Sequence, residues 1–264
     1  MWKELKFAWY AISMNLKNSA ELRTSFLMSV VGMALNNIAF IAIWCVFAKV
    51  VGNIGGWTVM DVVAMQGITA LNFGVVFSLL NGVEKISLYV GSGSFDRFIL
   101  SPKNLLSRVL VSSLGISAIG DALFGVICLG VYITFVHLSA INFVFMFMGL
   151  ITSTCLLFAV MLLVQTVSFY VLDPRTATRG LFELFFTPTL FHGGAFQGWM
   201  RFVFTFIIPS LLVGALPVEV VKSVSWPQMG LMAVLSLLWL ILAVKLFYRG
   251  VKRYESANLV TFGS

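Results

Sequence analysis

Apolar runs long enough to cross a lipid bilayer dominate the chain. A spanning helix takes roughly 20 mostly apolar residues, and such runs lie at 26–51, 60–82, 109–136 and 141–172. A fifth apolar stretch, 181–221, is interrupted by Pro188, Gly193, Gly194, Gly198, Pro209 and Pro217, which no single helix tolerates. It divides into a fifth span over 180–196 and two short helices, Trp199 to Ile208 and Ser210 to Val221, that dip into the outer leaflet and return. Irregular backbone at that depth is tolerated only against protein or a wet cavity. The sixth span covers 227–248. Ahead of the first span, Trp2, Leu5, Trp9, Ile12 and Leu16 recur at helical spacing while Lys3, Lys6 and Lys17 lie elsewhere, so 1–25 is expected as an amphipathic helix in the interface. The expected fold is a single all-α membrane domain of six transmembrane helices, with that interfacial helix and a re-entrant helical pair (199–221) before the last span.

Composition and charge narrow this picture. Hydrophobic residues make up 60% of the chain and charged ones 10%, against about 25% charged in a soluble domain. In water such a chain would expose large apolar patches and aggregate. The net charge of +7 is not a nucleic-acid signature, because the basic residues form short clusters between apolar runs with no basic stripe interleaved with aromatics. They read instead as topology signals, since cytoplasmic loops carry the excess of lysine and arginine. With six spans, Lys3, Lys6, Lys17 and Arg23, then Lys85, Arg97, Lys103 and Arg108, then Arg175 and Arg179, then Lys245, Arg249, Lys252 and Arg253 share one side. That places 14 of the 17 basic residues in the cytoplasm with both termini, and leaves Lys49, Arg201 and Lys222 outside. A seventh crossing at 202–216 would export the C-terminal cluster. Cys45, Cys128 and Cys155 sit inside apolar runs without the spacing of a metal site, so no metal ligation is expected.

Two regions carry candidate chemistry. The segment 83–108 is the longest hydrophilic stretch between spans, and Phe95, Phe98, Ile99 and Leu100, flanked by Asp96, Arg97 and Lys103, are expected to form an exposed apolar element that docks in a partner's groove. Contact with lipid is the alternative. Asp121 falls midway along the third span, where an ionised carboxylate costs at least about 2.5 kcal/mol; it therefore needs a partner or water. Ser113, Ser117, Asp121 and Gly125 are spaced by four and are expected on one face suited to close packing. Gly115, Gly120, Gly125 and Gly130 recur every five residues and cannot form one stripe. Asn36, Asn37, Gln66, Asn72, Asn81, Gln165 and Glu183 are further polar residues in the spans. Glu183 stands four residues after Arg179, the spacing of a local ion pair. His192 precedes Gly193 and Gly194 without a ligand partner nearby. No GxSxG, HExxH, GxGxxG or GxxxxGK[ST] motif is present, so any nucleotide-driven work requires a separate hydrolysing chain.

The layout resembles the permease subunits of ABC-2-type exporters along essentially its whole length. FDRFILSPKNLL at 95–106, IIPSLLVGALP at 207–217 and RGVKRYESANLVTFG at 249–263 are similar to a branch of small bacterial permeases that includes viologen-exporter-like proteins. The resemblance implies a transport subunit that is not itself an enzyme and binds no cofactor, with ATP and Mg held by two separate ABC ATPase subunits. It implies a second permease, identical or paralogous, membrane lipid as surroundings, and residence in the bacterial inner membrane. Coupling to the ATPases is carried onto Phe95, Asp96, Arg97, Phe98, Ile99, Ser101, Pro102 and Lys103. The pathway is expected along spans one, two and five, with Asn36, Asn37, Asn72, Asp121, Glu183, His192 and Pro209 as pathway or gate residues. The expected function is ATP-driven export of amphipathic, lipid-like or drug-like compounds, cationic ones included. A membrane-embedded lipid-modifying enzyme and a non-transporting scaffold or channel are the alternatives.

Overall fold

The computed structural model describes residues 6, 10, 12–14, 17, 23–51, 56–100 and 104–254, and its regular elements are helices. Most of the expected interfacial helix, Ser101 to Lys103, and the chain from residue 255 lie outside the described residues. The long helices are α1 (Arg23–Val51), α2 (Val59–Leu79), α6 (Ile116–Val136), α7 (Ala140–Thr166, extended by a 3-10 turn) and α11 (Trp226–Arg253). All five are long and apolar enough to cross a membrane. Shorter helices join them: α3 (Ile86–Gly91), α4 (Asp96–Ile99), α5 (Leu105–Leu110), α8 (Pro174–Thr189), α9 (Gly198–Phe202, continued by a π turn to Ile207) and α10 (Ala215–Ser223). The chain is thus an all-α membrane protein.

Local chemistry sets the helix starts. Thr58 and Asp61 close a reciprocal capping box on α2, with Thr58 N–H donating to Asp61 Oδ2 at 2.8 Å and Asp61 N–H to Thr58 Oγ1 at 3.3 Å. Pro227 occupies the first turn of α11, where its missing N–H costs nothing.

Small residues decide how the helices meet. A side chain at Gly125 would place Cβ 2.6 Å from Leu71 N, and Gly74 rests in the same way on the Ala122 backbone, so α2 and α6 approach backbone to backbone. Gly120 turns instead to Val30 of α1, while Gly130 faces open space; the five-residue spacing does scatter these glycines over different neighbours. α6 lies between α1 and α2, and α7 packs against α2, α10 and α11 around Phe145, Leu156, Leu157, Met161 and Leu162. α1 is almost uncovered, presenting Leu27, Met28, Val31, Leu35 and Ile38 outward.

Two expected spans have different bounds. The run 109–136 is not one helix: α5 ends at Leu110 and α6 starts at Ile116. The polar groups of the break are taken by α2 and its exit, with Gly115 N–H donating to Phe77 O at 3.1 Å and Asn81 Nδ2 to Ser113 Oγ at 3.1 Å. Ser113 therefore stands outside the helix that carries Ser117, Asp121 and Gly125. The expected helix 180–196 runs instead from Pro174 to Thr189, because Asp173 caps it early, accepting from Thr176 N–H at 3.3 Å. This exposed hydrogen bond holds the Asp173 carboxyl below the usual carboxylate range. The 16 residues of α8, rising about 1.5 Å each, reach about 24 Å, short of the ~30 Å hydrocarbon core.

α9 and α10 form a hairpin around a fully buried, non-helical turn in which Ser210, Leu212 and Val213 have no exposed surface. Asn72 secures that turn. Its amide donates to Val213 O at 3.0 Å and to Ser153 Oγ at 2.8 Å, and its carbonyl accepts from Thr154 Oγ1 at 2.7 Å. Asn72→Leu keeps the volume and strands three buried groups, so it is expected to cost about 1–3 kcal/mol, read as a lower thermal unfolding midpoint in detergent. An unchanged midpoint would mean that the turn does not depend on Asn72.

Candidate functional site

Four elements line a small polar chamber, and because α6 starts at Ile116, Asp121 stands in its second turn and not midway along the span as expected. Asn36 and Asn37 from α1, Gln66 and Thr69 from α2, and Asp121 from α6 line a cavity of 180 Å³ with Phe40, Phe73, Phe186 and Leu190. Asn37 Nδ2 donates to Asp121 Oδ1 at 2.6 Å, and Asn37 is the carboxylate's one hydrogen-bond partner among the described residues. No lysine, arginine or histidine is in the lining. Thr69 Oγ1 is buried without a partner among the described residues, and Gln66 reaches Leu190 O at 3.4 Å. A lone carboxylate among amides, a hydroxyl and aromatic rings suits a cation or a hydrogen-bond donor.

A larger cavity of 570 Å³ opens beside it, walled by the exit of α2 and by α3, α7 and α8. Its lining carries Glu84, Ser87, Gln165, Arg175, Arg179 and Glu183 with Phe77, Phe182 and Phe186. The ion pair expected from spacing is present, with Arg179 Nε 3.1 Å from Glu183 Oε1, and it is exposed. Phe186 borders both cavities. Its ring stacks on Phe182 at 5.5 Å and meets Phe73 edge-on at 5.2 Å, and Phe73 leans on Phe77 at 5.5 Å. These two i,i+4 pairs form an aromatic partition between the cavities. Their spacing is visible in the sequence, but their meeting across helices is not.

At the same end of the bundle, the segment 83–108 folds into three short helices, and here the expectation of exposed phenylalanines is overturned. Phe95 has no exposed surface and Phe98 is 5% exposed. Phe95 is held between Phe98, Phe169 and Tyr254, at ring separations of 5.9, 5.2 and 5.3 Å. Burial and the neighbouring Asp96 carboxylate push the Tyr254 hydroxyl up to about 12. Arg97 stands 4.7 Å over both the Tyr89 and Phe98 rings. The outward apolar tip is Ile99 and Leu100, 44% and 84% exposed. Aromatic rings anchor the segment because they bury more surface inside than they could cover at a small tip.

At the opposite end, charged pairs clamp the α9–α10 hairpin. Arg201 pairs with Glu219 across it, and Lys222 Nζ reaches Asp61 Oδ2 at 2.7 Å, tying it to the α2 cap. His192 is buried with its ring 5.9 Å from those of Trp44 and Trp57, and its Nδ1 has no partner. Pro209 sits in the buried turn. Of the expected pathway residues, Asn36, Asn37 and Asp121 therefore meet in the chamber and Glu183 lines the adjoining cavity. Asn72 is a structural staple, and His192 and Pro209 belong to the hairpin end. α6 takes part in the chamber beside the three spans expected to line it.

The sequence model of a family described as ABC-2 family transporter protein matches residues 33–258. No curated protein and no solved structure matches the chain.

If Phe186 separates the cavities, a cysteine at Thr69 in an otherwise cysteine-free chain should react slowly with a membrane-impermeant thiosulfonate. Phe186→Ala should raise that rate several-fold without altering the unfolding midpoint. Equal rates would remove the partition.

Proposed function

The chain belongs to the ABC-2 transporter family, and from that premise we propose that it is the permease of an ATP-driven exporter for amphipathic, lipid-like or drug-like compounds, cationic ones included. It is a multi-pass membrane protein, and its family works with ABC ATPases. The observation that carries the reading is the polar chamber with one carboxylate, set among membrane-length helices and reached from a wider cavity at one end. A protein that only scaffolds has no use for an ionisable group at that depth, where its cost must be offset.

In this reading α8 completes a sixth crossing with the stretch 190–197, which includes the 3-10 turn Gly193–Ala195, and the α9–α10 hairpin returns without crossing. Both termini and the segment 83–108 then face the cytoplasm of a bacterial inner membrane. Two ATPases dock there, one per permease of a pair. Ile99 and Leu100, with Arg97, meet the ATPase groove, and Phe95 and Phe98 hold them in place. ATP and Mg stay with the partner.

Two experiments test this. Affinity purification from the native host should recover a soluble ATPase in stoichiometric amount, and Ile99→Glu with Leu100→Glu should release it while the permease keeps its unfolding midpoint. Full retention by the double variant would assign that tip to lipid, and reproducible absence of any ATPase from the wild-type preparation would remove the exporter reading. With the complex in hand, Asp121→Asn should abolish the stimulation of ATP hydrolysis by ethidium, a monovalent cation. Unchanged stimulation would take Asp121 out of cation handling.

A further inference from the structure

The wider cavity differs from the chamber in carrying both signs of charge. Arg179 and Glu183 satisfy one another, which leaves Arg175 of α8 and Glu84, ahead of α3, as a second cation and anion lining the cavity. Neither forms a salt bridge among the described residues. Gln165 lines the same cavity and is 4% exposed; its Oε1 accepts from Ser87 N–H at 3.0 Å, and its Nε2 has no hydrogen-bond partner among the described residues. Its amide donor is therefore available to a ligand or to water at the cavity wall. Beside this polar wall Phe77, Phe182 and Phe186 offer an apolar one.

We infer that this cavity is a binding site for the zwitterionic head group of an amphiphile. Arg175 and Gln165 Nε2 take its anionic group, Glu84 takes its ammonium group, and the phenylalanines take the first part of its tail. A singly charged compound pairs with Arg175 or with Glu84 but not with both, and Arg175 keeps only the Asp173 carboxylate at the exposed helix cap beside it. A zwitterion neutralises both, and its own charges pay less desolvation when they are matched together. At 570 Å³ the cavity lies within the about 300–1,000 Å³ of small-molecule sites. The chamber beyond Phe186, at 180 Å³, is smaller than that range and has only an acid to offer, so an ammonium group is the part it would admit. The inference rests on the exporter reading for its purpose, since it names what enters the pathway, and on the cavity alone for its chemistry.

The test is retention measured by native mass spectrometry of the full chain, titrated separately with dioctanoyl phosphatidylethanolamine, dioctanoyl phosphatidylglycerol and dodecyltrimethylammonium. The zwitterion should bind on the order of tenfold more tightly than either singly charged probe, as one charge-assisted contact is worth. Arg175→Gln should erase the preference over dodecyltrimethylammonium, and Glu84→Gln the preference over phosphatidylglycerol. Arg175→Lys and Glu84→Asp should keep both. Equal retention of the three probes by the wild-type chain would overturn the inference, as would a zwitterion preference that survives both glutamine substitutions. Binding is read without ATP. A discriminating site with no accompanying ATPase would therefore sink the exporter reading alone, and an ATPase-bound permease that does not discriminate would sink this site alone.

Discussion

A buried turn of non-helical backbone in a bilayer is permitted only if every peptide group finds a partner inside the protein, and this requirement organises the bundle. The turn between α9 and α10 has no water-facing alternative, since Ser210, Leu212 and Val213 are completely covered. Asn72 meets the requirement with a side chain whose two donors and one acceptor are all engaged, by the turn and by α7. The hairpin fixes α2 in rotation against α7 by the same bonds. Gln66, Thr69 and Phe73 lie within two turns of Asn72 on α2, so the placement of one side of the chamber follows from the staple.

The electrostatic arrangement follows a gradient from the ends to the middle. Charged pairs occur where water can share their solvation: Arg179 with Glu183 at one end, and Arg201 with Glu219 and Lys222 with Asp61 at the other. Exposed pairs contribute little to stability, so these are better regarded as fixing geometry. Asp61 is the exception in burial: its oxygens serve the α2 cap and Lys222 together, which joins the start of α2 to the end of the hairpin. Asp121 has an amide in place of a cation. An amide offsets part of the cost of a carboxylate and leaves it able to receive a positive group, whereas a resident lysine would have closed the site.

Much of this architecture was legible in the sequence. Long apolar runs announce membrane helices because the bilayer imposes a length, and Pro209, following Gly193, Gly194 and Gly198, marks a return because no single helix continues through all of them. The Arg179–Glu183 pair is a consequence of helical spacing alone. What failed was what depends on contacts between distant residues. The break at 111–115 is apolar enough to read as helix, yet its polar groups are claimed by Phe77 of α2 and by Asn81 just beyond that helix. Phe95 looks like a docking residue in a hydrophilic segment until Phe169 and Tyr254, 74 and 159 positions away, close over it. The start of α8 is written in Asp173, a capping residue directly before Pro174, and not in hydropathy, which rises only later. The chamber was half legible: Asp121 announces itself, but nothing in the sequence says that Asn37, rather than Asn72, is its neighbour.

The buried phenylalanine also changes how motion would travel. A side chain exposed for docking would transmit force only through the backbone of its own segment. Phe95 instead ties α4 to Phe169 at the end of α7 and to Tyr254 beyond α11, and Phe169 in turn meets Phe247 at 5.9 Å. A push on Leu100 therefore bears on α7 and α11, two long helices packed along one another. The same segment reaches the cavity wall by a second route, since Ser87 on α3 is bonded to Gln165 of α7 and Gly91 abuts Pro174 at the start of α8. Packed interiors shift between discrete arrangements rather than deforming smoothly. Displacing α3 would thus move Glu84 and α8 as units, and with α8 the Phe186 ring that separates the two cavities.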